Sequence, residues 1–344
     1  MERPRPDISV LVATRNRARQ LERMLLSIEG QALEGRSCEL IVVDNGSVDD
    51  TRSVLKREWT CFTLVALYEE TAGKSRSLNR GLDVAAGDLV VFTDDDITAS
   101  PVWLRSLYEA FEKYSSAAVF CGPIVPSFPP GTPEWMRNHA RADDMFGRFE
   151  PGLAEGPLPV RMLPFGANFA ARSSVMGGMR FRLDLGPSEE NGLLFGEDTE
   201  FVERLQGKSQ DIIFVSAARV DHHITPSHLE LSSLLERAFH LGRGIAMRER
   251  KGVFLDPPRF QSTPIDQGFV GLVERGGRIN HYLGQLYQLH LLGERSFDPG
   301  LRQALDHLKI HSNLDLLGKS ARLFYPSLRE GQNRLARNRE TTDL

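Results

Sequence analysis

The chain has 344 residues, 41% of them apolar and 26% charged, which is enough to bury one large core plus an extension, or two smaller domains. Its formal net charge of -4 argues against a dedicated nucleic-acid binder, while leaving room for a local basic face. Cys38, Cys61 and Cys121 fit no metal spacing and read as reduced thiols. The N-terminal residues carry no apolar secretory region and no run is long enough to span a bilayer, so a cytoplasmic protein is expected, with peripheral attachment to the inner face of a membrane left open.

The first predicted strand covers residues 8–13 and ends at Thr14-Arg15-Asn16-Arg17. Leu21, Met24, Leu25 and Ile28 follow at i, i+3, i+4 and i+7, the apolar face of an amphipathic helix. A second buried strand, 40–43, ends at Asp44-Asn45-Gly46-Ser47, and Asp49-Asp50-Thr51 suits the first turn of another helix. A third strand is predicted over about 62–68, then a helix with Leu78, Leu82 and Ala85 on one side. The fourth strand, Leu89-Val90-Val91-Phe92, runs into Thr93-Asp94-Asp95-Asp96. Four strand–helix alternations in succession imply a parallel sheet with right-handed crossovers. Ser100-Pro101 then reads as the N-cap and first turn of a helix facing inward with Leu104, Leu107, Tyr108 and Phe111. Residues 122–164 read as long loops around one short helix, and 165–223 return to strand and helix pieces. From about 227 the pattern is helical, with a break over roughly 252–277, further helices to about 325 and a frayed end.

Three consecutive carboxylates at the end of a buried strand repel one another unless something positive sits among them, and a divalent cation bridging to a phosphate would serve. A solvated turn or helix cap is the plain alternative. The turn after the first strand lacks G-x-G-x-x-G, which removes most support for a dinucleotide oxidoreductase. Gly73-Lys74-Ser75 resembles a P-loop tail, but Tyr68 stands where the first glycine is needed. What remains is polar residues at successive carboxyl ends of parallel strands: Thr14 and Arg17, then Asp44, then Asp94 to Asp96. Asp44 suits the base or ribose of a nucleotide, and the triplet suits a metal-bound diphosphate.

The series Val10 through Arg17, Glu39 through Ser47, Gly73 through Asn79 and Gly87 through Asp96 resembles family 2 glycosyltransferases, over about residues 7–110 with a second group over 165–226. The resemblance implies the GT-A fold: a Rossmann-like α/β architecture, with a mixed, mainly parallel sheet flanked by helices. A catalytic domain is expected over 1–226, divided into a nucleotide-binding half of about 7–120 and an acceptor-side half of about 121–226. A mainly helical extension would cover 227–344.

By resemblance, Asp94 and Asp96 match the outer positions of a D-x-D metal motif, with Asp95 between them, and Mn²⁺ or Mg²⁺ is the implied cofactor. Asp44 matches the acidic nucleotide contact and is equally suited to forming a turn. Arg17, Lys74 and Arg76 are candidates to meet the diphosphate, with Thr14 and Asn79 beside the donor. Phe195-Gly196-Glu197-Asp198 resembles the E-D pair whose aspartate is the general base of inverting members. That implies Asp198, with Glu197 next to it; a helix start with acidic first-turn residues is the alternative. In Asp221-His222-His223, His222 aligns with a histidine that completes the metal shell, and His223 is the lesser candidate. Gly166, Ala167 and Asn168 match the acceptor side, and Trp103 is a candidate wall of the sugar pocket or a core residue. Arg237, Arg243, Arg248, Arg250 and Lys251 outnumber Glu236 and Glu249, which suits either a solvated helix face or one meeting anionic lipid.

The expected activity is inverting, metal-assisted transfer of one sugar from a nucleoside diphosphate sugar to a hydroxyl of a glycan, lipid-linked or small-molecule acceptor, with no nucleic-acid partner. The alternatives are a sugar nucleotidylyltransferase, whose Gly-rich first loop is missing here, and a catalytically silent nucleotide-sugar or glycan-binding scaffold. Donor base, donor sugar, acceptor and oligomeric state are not legible.

Overall fold

The computed structural model describes residues 5–138, 145–160, 162–190, 192–207 and 211–249, together with 277, 279–281, 283–285, 287 and 288. Strands β1 (Ile8–Thr14), β2 (Cys38–Asp44) and β4 (Leu89–Asp94) are buried along nearly their whole length, as their unbroken apolar runs require. β3 (Thr63–Tyr68) lies at the sheet edge and is only partly covered. The remaining strands are β5 (Ile97–Ala99), β6 (Val119–Cys121), β7 (Ile124–Ser127), β8 (Gly156–Pro157), β9 (Phe169–Arg172), β10 (Ile212–Phe214) and β11 (Val220–His223).

The main sheet has the order β3-β2-β1-β4-β9-β6-β10-β8. β3, β2, β1 and β4 are parallel, β9 runs antiparallel between β4 and β6, and β10 is parallel to β6. The sheet is thus mixed and mainly parallel, as expected. Because β1 pairs with β2 on one side and β4 on the other, the strand order reverses at β1, and the crevice beyond the carboxyl ends of β1 and β4 is the natural ligand site. The register puts Thr14 opposite Asp44 and Ala13 opposite Asp94. The named polar residues therefore share one sheet edge.

A small second sheet, β5-β11-β7, stands apart from the main one. Its antiparallel β11–β5 ladder sets His222 opposite Ile97, one residue beyond the acidic triplet.

Helix α1 (Ala18–Glu29) buries the four predicted residues Leu21, Met24, Leu25 and Ile28. Helix α2 (Lys74–Leu82) ends before Ala85, which the periodicity had included. Helix α3 (Trp103–Lys113) begins later than the Ser100-Pro101 signal predicts. Those two residues form the preceding turn, in which the Ser100 carbonyl accepts the Trp103 N–H at 3.0 Å. The helix expected after Asp49 is a single turn, Thr51–Val54, and Asp49 caps both it and α1 through the Thr51 and Ala18 amides. Helix α4 (Glu197–Gln206) and helix α5 (Leu231–Glu249) follow, the latter burying Leu234, Leu235, Ala238 and Phe239.

Two compact units emerge. The first carries both sheets and runs to Ile224; the second begins at Thr225, and the short pieces Thr132–His139 and Leu193–Gly196 belong to it. Arg250, Lys251, most of the predicted break and later helices, and the predicted frayed end lie outside the described residues. No helix among the described residues is long and apolar enough to cross a membrane. The three cysteines are free thiols, and burial pushes Cys38 up to about 12.

Gly122 sits where the two sheets part: a Cβ there would lie 1.8 Å from the Ala218 carbonyl oxygen and 2.9 Å from Asn168 Nδ2. Neither neighbour is a free side-chain end, since Asn168 Nδ2 donates to the Ala218 and Pro123 carbonyls at 2.7 and 3.0 Å. Gly122→Ala should therefore cost about 3 kcal/mol, the upper part of the range for overpacking. Urea denaturation checks this, and a loss below about 0.5 kcal/mol, within the scatter of surface substitutions, would contradict the packing.

Candidate active site

The acidic triplet is answered by the chain's own cations. Thr14 Oγ1 donates to Asp95 Oδ2 at 2.7 Å, and Arg17 Nη1 donates to Asp95 Oδ1 at 3.0 Å and Asp96 Oδ2 at 2.7 Å. Lys74, in the first turn of α2, donates from Nζ to Asp94 Oδ1 at 2.8 Å and lies 3.4 Å from Glu197 Oε1. Arg17 and Lys74, expected to face a diphosphate, are thus committed to carboxylates. The charge compensation that the sequence assigned to a metal is shared by an arginine and a lysine.

These pairings displace the titrations. Burial raises Asp95 to about 6; Arg17 opposes the rise, and Asp96 and Asp94 add to it. Burial likewise pushes Glu197 up to about 7, against the pull of Lys74 and with help from Asp198. Asp96 moves the other way: burial is outweighed by His222 and Arg17, which hold it well below the usual carboxylate range. His222 is raised, because Asp96 and the Phe146 carbonyl outweigh its burial.

His222 Nδ1 is 2.8 Å from the Phe146 carbonyl oxygen, so that nitrogen carries the proton and Nε2 is left facing Asp96 Oδ1 at 3.6 Å. Asp96 Oδ1 is buried and accepts no hydrogen bond. Two electron-pair donors thus face one another across a short gap. A proton or a cation between them satisfies both, and histidine orientation by a backbone carbonyl is the usual support for a metal ligand. Asp94, the third expected ligand, is held by Lys74. Among the described residues no three His, Cys, Asp or Glu side chains gather closely enough to hold an ion. His223 is engaged elsewhere, 2.7 Å from Thr98 Oγ1.

Asp198 lies in the first turn of α4. Oδ2 accepts the Gly166 N–H, and Oδ1 accepts the Thr199 N–H at 2.7 Å. A Cβ on Gly166 would come within 2.7 Å of Asp198 Oδ2, so the close approach expected of Gly166 is to this carboxylate. Ala167 is buried, and its carbonyl accepts Thr93 Oγ1 at 2.7 Å.

The other candidates lie in the fold around these groups. Trp103 is fully buried and its indole N–H donates to Asn168 Oδ1 at 2.8 Å, so it lines no open pocket. Asn168, equally buried, spends its amide on that bond and two carbonyls. Asn79 clasps the backbone of Phe181 with both ends of its side chain, at 2.9 and 2.7 Å. Asp44 is buried, and Oδ1 accepts the Ser47 N–H at 2.8 Å in the turn its sequence predicts. Arg76 is half-buried and pairs with no carboxylate among the described residues, which leaves it as a cation still open to a ligand.

Sequence reasoning missed two contributors. The Phe146 carbonyl is a backbone atom in a loop and leaves no side-chain signal. Asn45, taken as a turn residue, links three loops. Its Nδ2 donates to the Glu69 and Thr71 carbonyls at 3.0 and 2.8 Å, its Oδ1 accepts the Gly73 N–H at 2.7 Å, and its backbone N–H meets the Thr14 carbonyl at 2.8 Å.

A family model described as "Glycosyl transferase family 2" matches residues 9–183. The succinoglycan biosynthesis protein ExoM of Rhizobium meliloti is 29% identical over 208 residues, 59% of this chain and 62% of that protein. The glucosyl-dolichyl phosphate glucuronosyltransferase of Haloferax volcanii is 25% identical over 242 residues, 68% of this chain and 75% of that protein. Among solved structures, the fragment 1-349 of S. aureus TarS in complex with UDP-GlcNAc superimposes with a TM-score of 0.50 at 15% identity, covering 95% of this chain and 87% of that one. At that identity the likeness concerns the fold.

Asp95, Glu197 and His222 all hold a proton more tightly in the fold than in the unfolded chain. Each contributes stability that is complete below its unfolded pKa and lost as pH rises through the folded one. Asp96 works in the opposite sense, at lower pH. The melting temperature, measured with chelator present, should therefore fall between pH 5 and pH 8. Glu197→Gln, which fixes the neutral form, should make that fall shallower; an unchanged slope in the variant would contradict the assignment.

Proposed function

The chain belongs to glycosyl transferase family 2, and on that premise we propose that it moves a single sugar from a nucleoside diphosphate sugar to an acceptor hydroxyl, inverting the anomeric centre with metal assistance. The observation that carries this reading is Lys74. By bridging Asp94 at the end of β4 to Glu197 at the start of α4, it sets the acidic triplet beside the pair that contains the candidate base. Donor phosphates and acceptor hydroxyl then meet at one place, as a single displacement demands.

Asp198 is the general base. Held by the Gly166 and Thr199 amides, it keeps further lone pairs to take the acceptor proton. The freed oxygen attacks the anomeric carbon from the face opposite the leaving group, the bond to the diphosphate oxygen breaks, and the nucleoside diphosphate departs with the electron pair. Arg76 is the open cation for the diphosphate, and Asp44 is the contact for the nucleoside.

Asp96 and His222 are the residues that would hold Mn²⁺ or Mg²⁺, and the orphaned Asp96 Oδ1 opposite Nε2 fits such an ion. When bound, the ion offsets charge on the departing diphosphate. A set of two protein ligands suffices where substrate phosphates complete the shell. Residues of about 7–120 form the nucleotide-binding half in this reading, 121–226 the acceptor-side half and 227–344 a helical extension. We place the reaction in the cytoplasm, with acceptors of the glycan or lipid-linked kind presented near the inner face of a membrane; the name of the Haloferax relative, with its dolichyl phosphate, supports a lipid-linked acceptor.

Asp198→Asn should lower turnover at least about 100-fold while leaving nucleoside diphosphate binding intact, and undiminished transfer would remove Asp198 as base. Mn²⁺ should raise the melting temperature of the wild-type protein, and His222→Ala should abolish that rise. A rise of equal size in the variant would remove His222 from the ligand set.

A further inference from the structure

The three residues Tyr68, Arg52 and Asp44 form a cluster that neither the triplet nor the candidate base uses. Tyr68 closes β3 and pairs in register with Asp44, so its ring stands on the ligand-binding edge of the sheet. It is 45% exposed, so a face of the ring is open to solvent. Arg52, from the single turn after β2, sets its guanidinium 5.0 Å from the centre of that ring and its Nε 3.9 Å from Asp44 Oδ2. Asp44 Oδ1 is taken by the Ser47 amide, whereas Oδ2 accepts no hydrogen bond among the described residues. Next to Asp44, the loop 45–49 carries Val48, whose side chain is 91% exposed and whose backbone N–H is held by Asn16 Oδ1 at 2.8 Å.

We propose that Tyr68, oriented by Arg52, is the stacking platform for the nucleobase of the donor, beside the acceptor oxygen of Asp44. A flat ring backed by a guanidinium is what stacks on the π-face of any base, and a free carboxylate oxygen next to it takes a ring N–H. The sheet supplies the ruler. From β4 to β2 is two strand spacings and from β4 to β3 is three, about 10 and about 14 Å at roughly 4.8 Å each. A nucleoside diphosphate with its charged end at the triplet and at Arg76 therefore extends across β1 and β2 toward Tyr68. Arg52 holds the ring in one orientation before the ligand arrives, so less ordering remains to be done on binding.

This inference rests on the donor reading above, and the experiment separates the two. Titration calorimetry with UDP, GDP, dTDP and inorganic pyrophosphate, each in Mn²⁺, is run on the wild-type protein, Tyr68→Leu and Tyr68→Phe. Leucine keeps an apolar side chain at the edge strand and phenylalanine keeps the ring. Tyr68→Leu should weaken the tightest nucleoside diphosphate about tenfold and leave pyrophosphate unchanged, while Tyr68→Phe should bind close to wild type. Wild-type binding that survives Tyr68→Leu within twofold overturns the platform and leaves the donor reading standing. An equal loss for pyrophosphate also overturns it, since the effect would then lie in the phosphate subsite. A wild-type protein that binds none of the three nucleotides defeats both.

Discussion

Arranging three adjacent carboxylates at the end of a buried strand without mutual repulsion is the constraint on which this site depends. Arg17 resolves it for Asp95 and Asp96, and Lys74 resolves it for Asp94. Each cation comes from the element that follows another strand of the same parallel set: Arg17 from the turn after β1, which neighbours β4, and Lys74 from the start of α2 after β3, three strands away. The parallel order of β3, β2, β1 and β4 is what brings those turns to one edge. Lys74 has a second task, because it also faces Glu197 across 3.4 Å. The same ammonium thereby fastens α4, far along the chain, to the first half of the sheet. Buried pairs of this kind are weak evidence for stability, since desolvation offsets much of the attraction, but losing one partner leaves a buried charge uncompensated. Their effect here is positional.

The second sheet solves a different problem. It brings His222 to the triplet. The β11–β5 ladder carries it to the residue after Asp96, and the His223 amide pins the Asp96 carbonyl at 2.9 Å. The junction between the sheets is tight enough that Gly122 admits no side chain, and Asn168 ties the Pro123 and Ala218 carbonyls together beneath it. Trp103 fills the space next to that amide. Residues that resemble an acceptor pocket in sequence thus hold the frame on which His222 is mounted.

The first four strands, the first helix and the edge that gathers the site were legible in the sequence because they depend on local pattern: unbroken apolar runs, one 3.6-residue periodicity and polar residues at strand ends. The short strands β7 and β8 fall inside 122–164, which the sequence reads as loops, because four and two residues are too few to show a period. Boundaries failed where a backbone turn pre-empted a side-chain cap, as at Ser100-Pro101. Roles are harder to read from a sequence than positions. Asn79, Trp103 and Asn168 stand out by their place in a motif, but whether an amide or an indole faces a ligand or a carbonyl depends on residues 45 to 102 positions away, such as Phe181 for Asn79 and Ala218 for Asn168. No spacing rule encodes that. The sequence offered a divalent cation as the triplet's counter-charge; the structure adds Arg17 and Lys74, both in view as cations suited to a diphosphate.

The two internal cations bear on how an ion would act here. With Asp95 and Asp96 neutralised in part by Arg17, and Asp94 by Lys74, the demand left for a cation is confined to one side: the bare Asp96 Oδ1 and His222 Nε2. At low pH a proton on His222 meets it, which is why the imidazole is raised and Asp96 is lowered together. A metal ion would compete for the same lone pairs and need the neutral imidazole, so its affinity would climb as the proton leaves. A site with two protein ligands holds an ion less firmly than a closed cage and leaves coordination positions for phosphate oxygens. In the proposed reaction, ion and donor would favour each other's binding, because each would supply ligands or charge that the protein alone withholds.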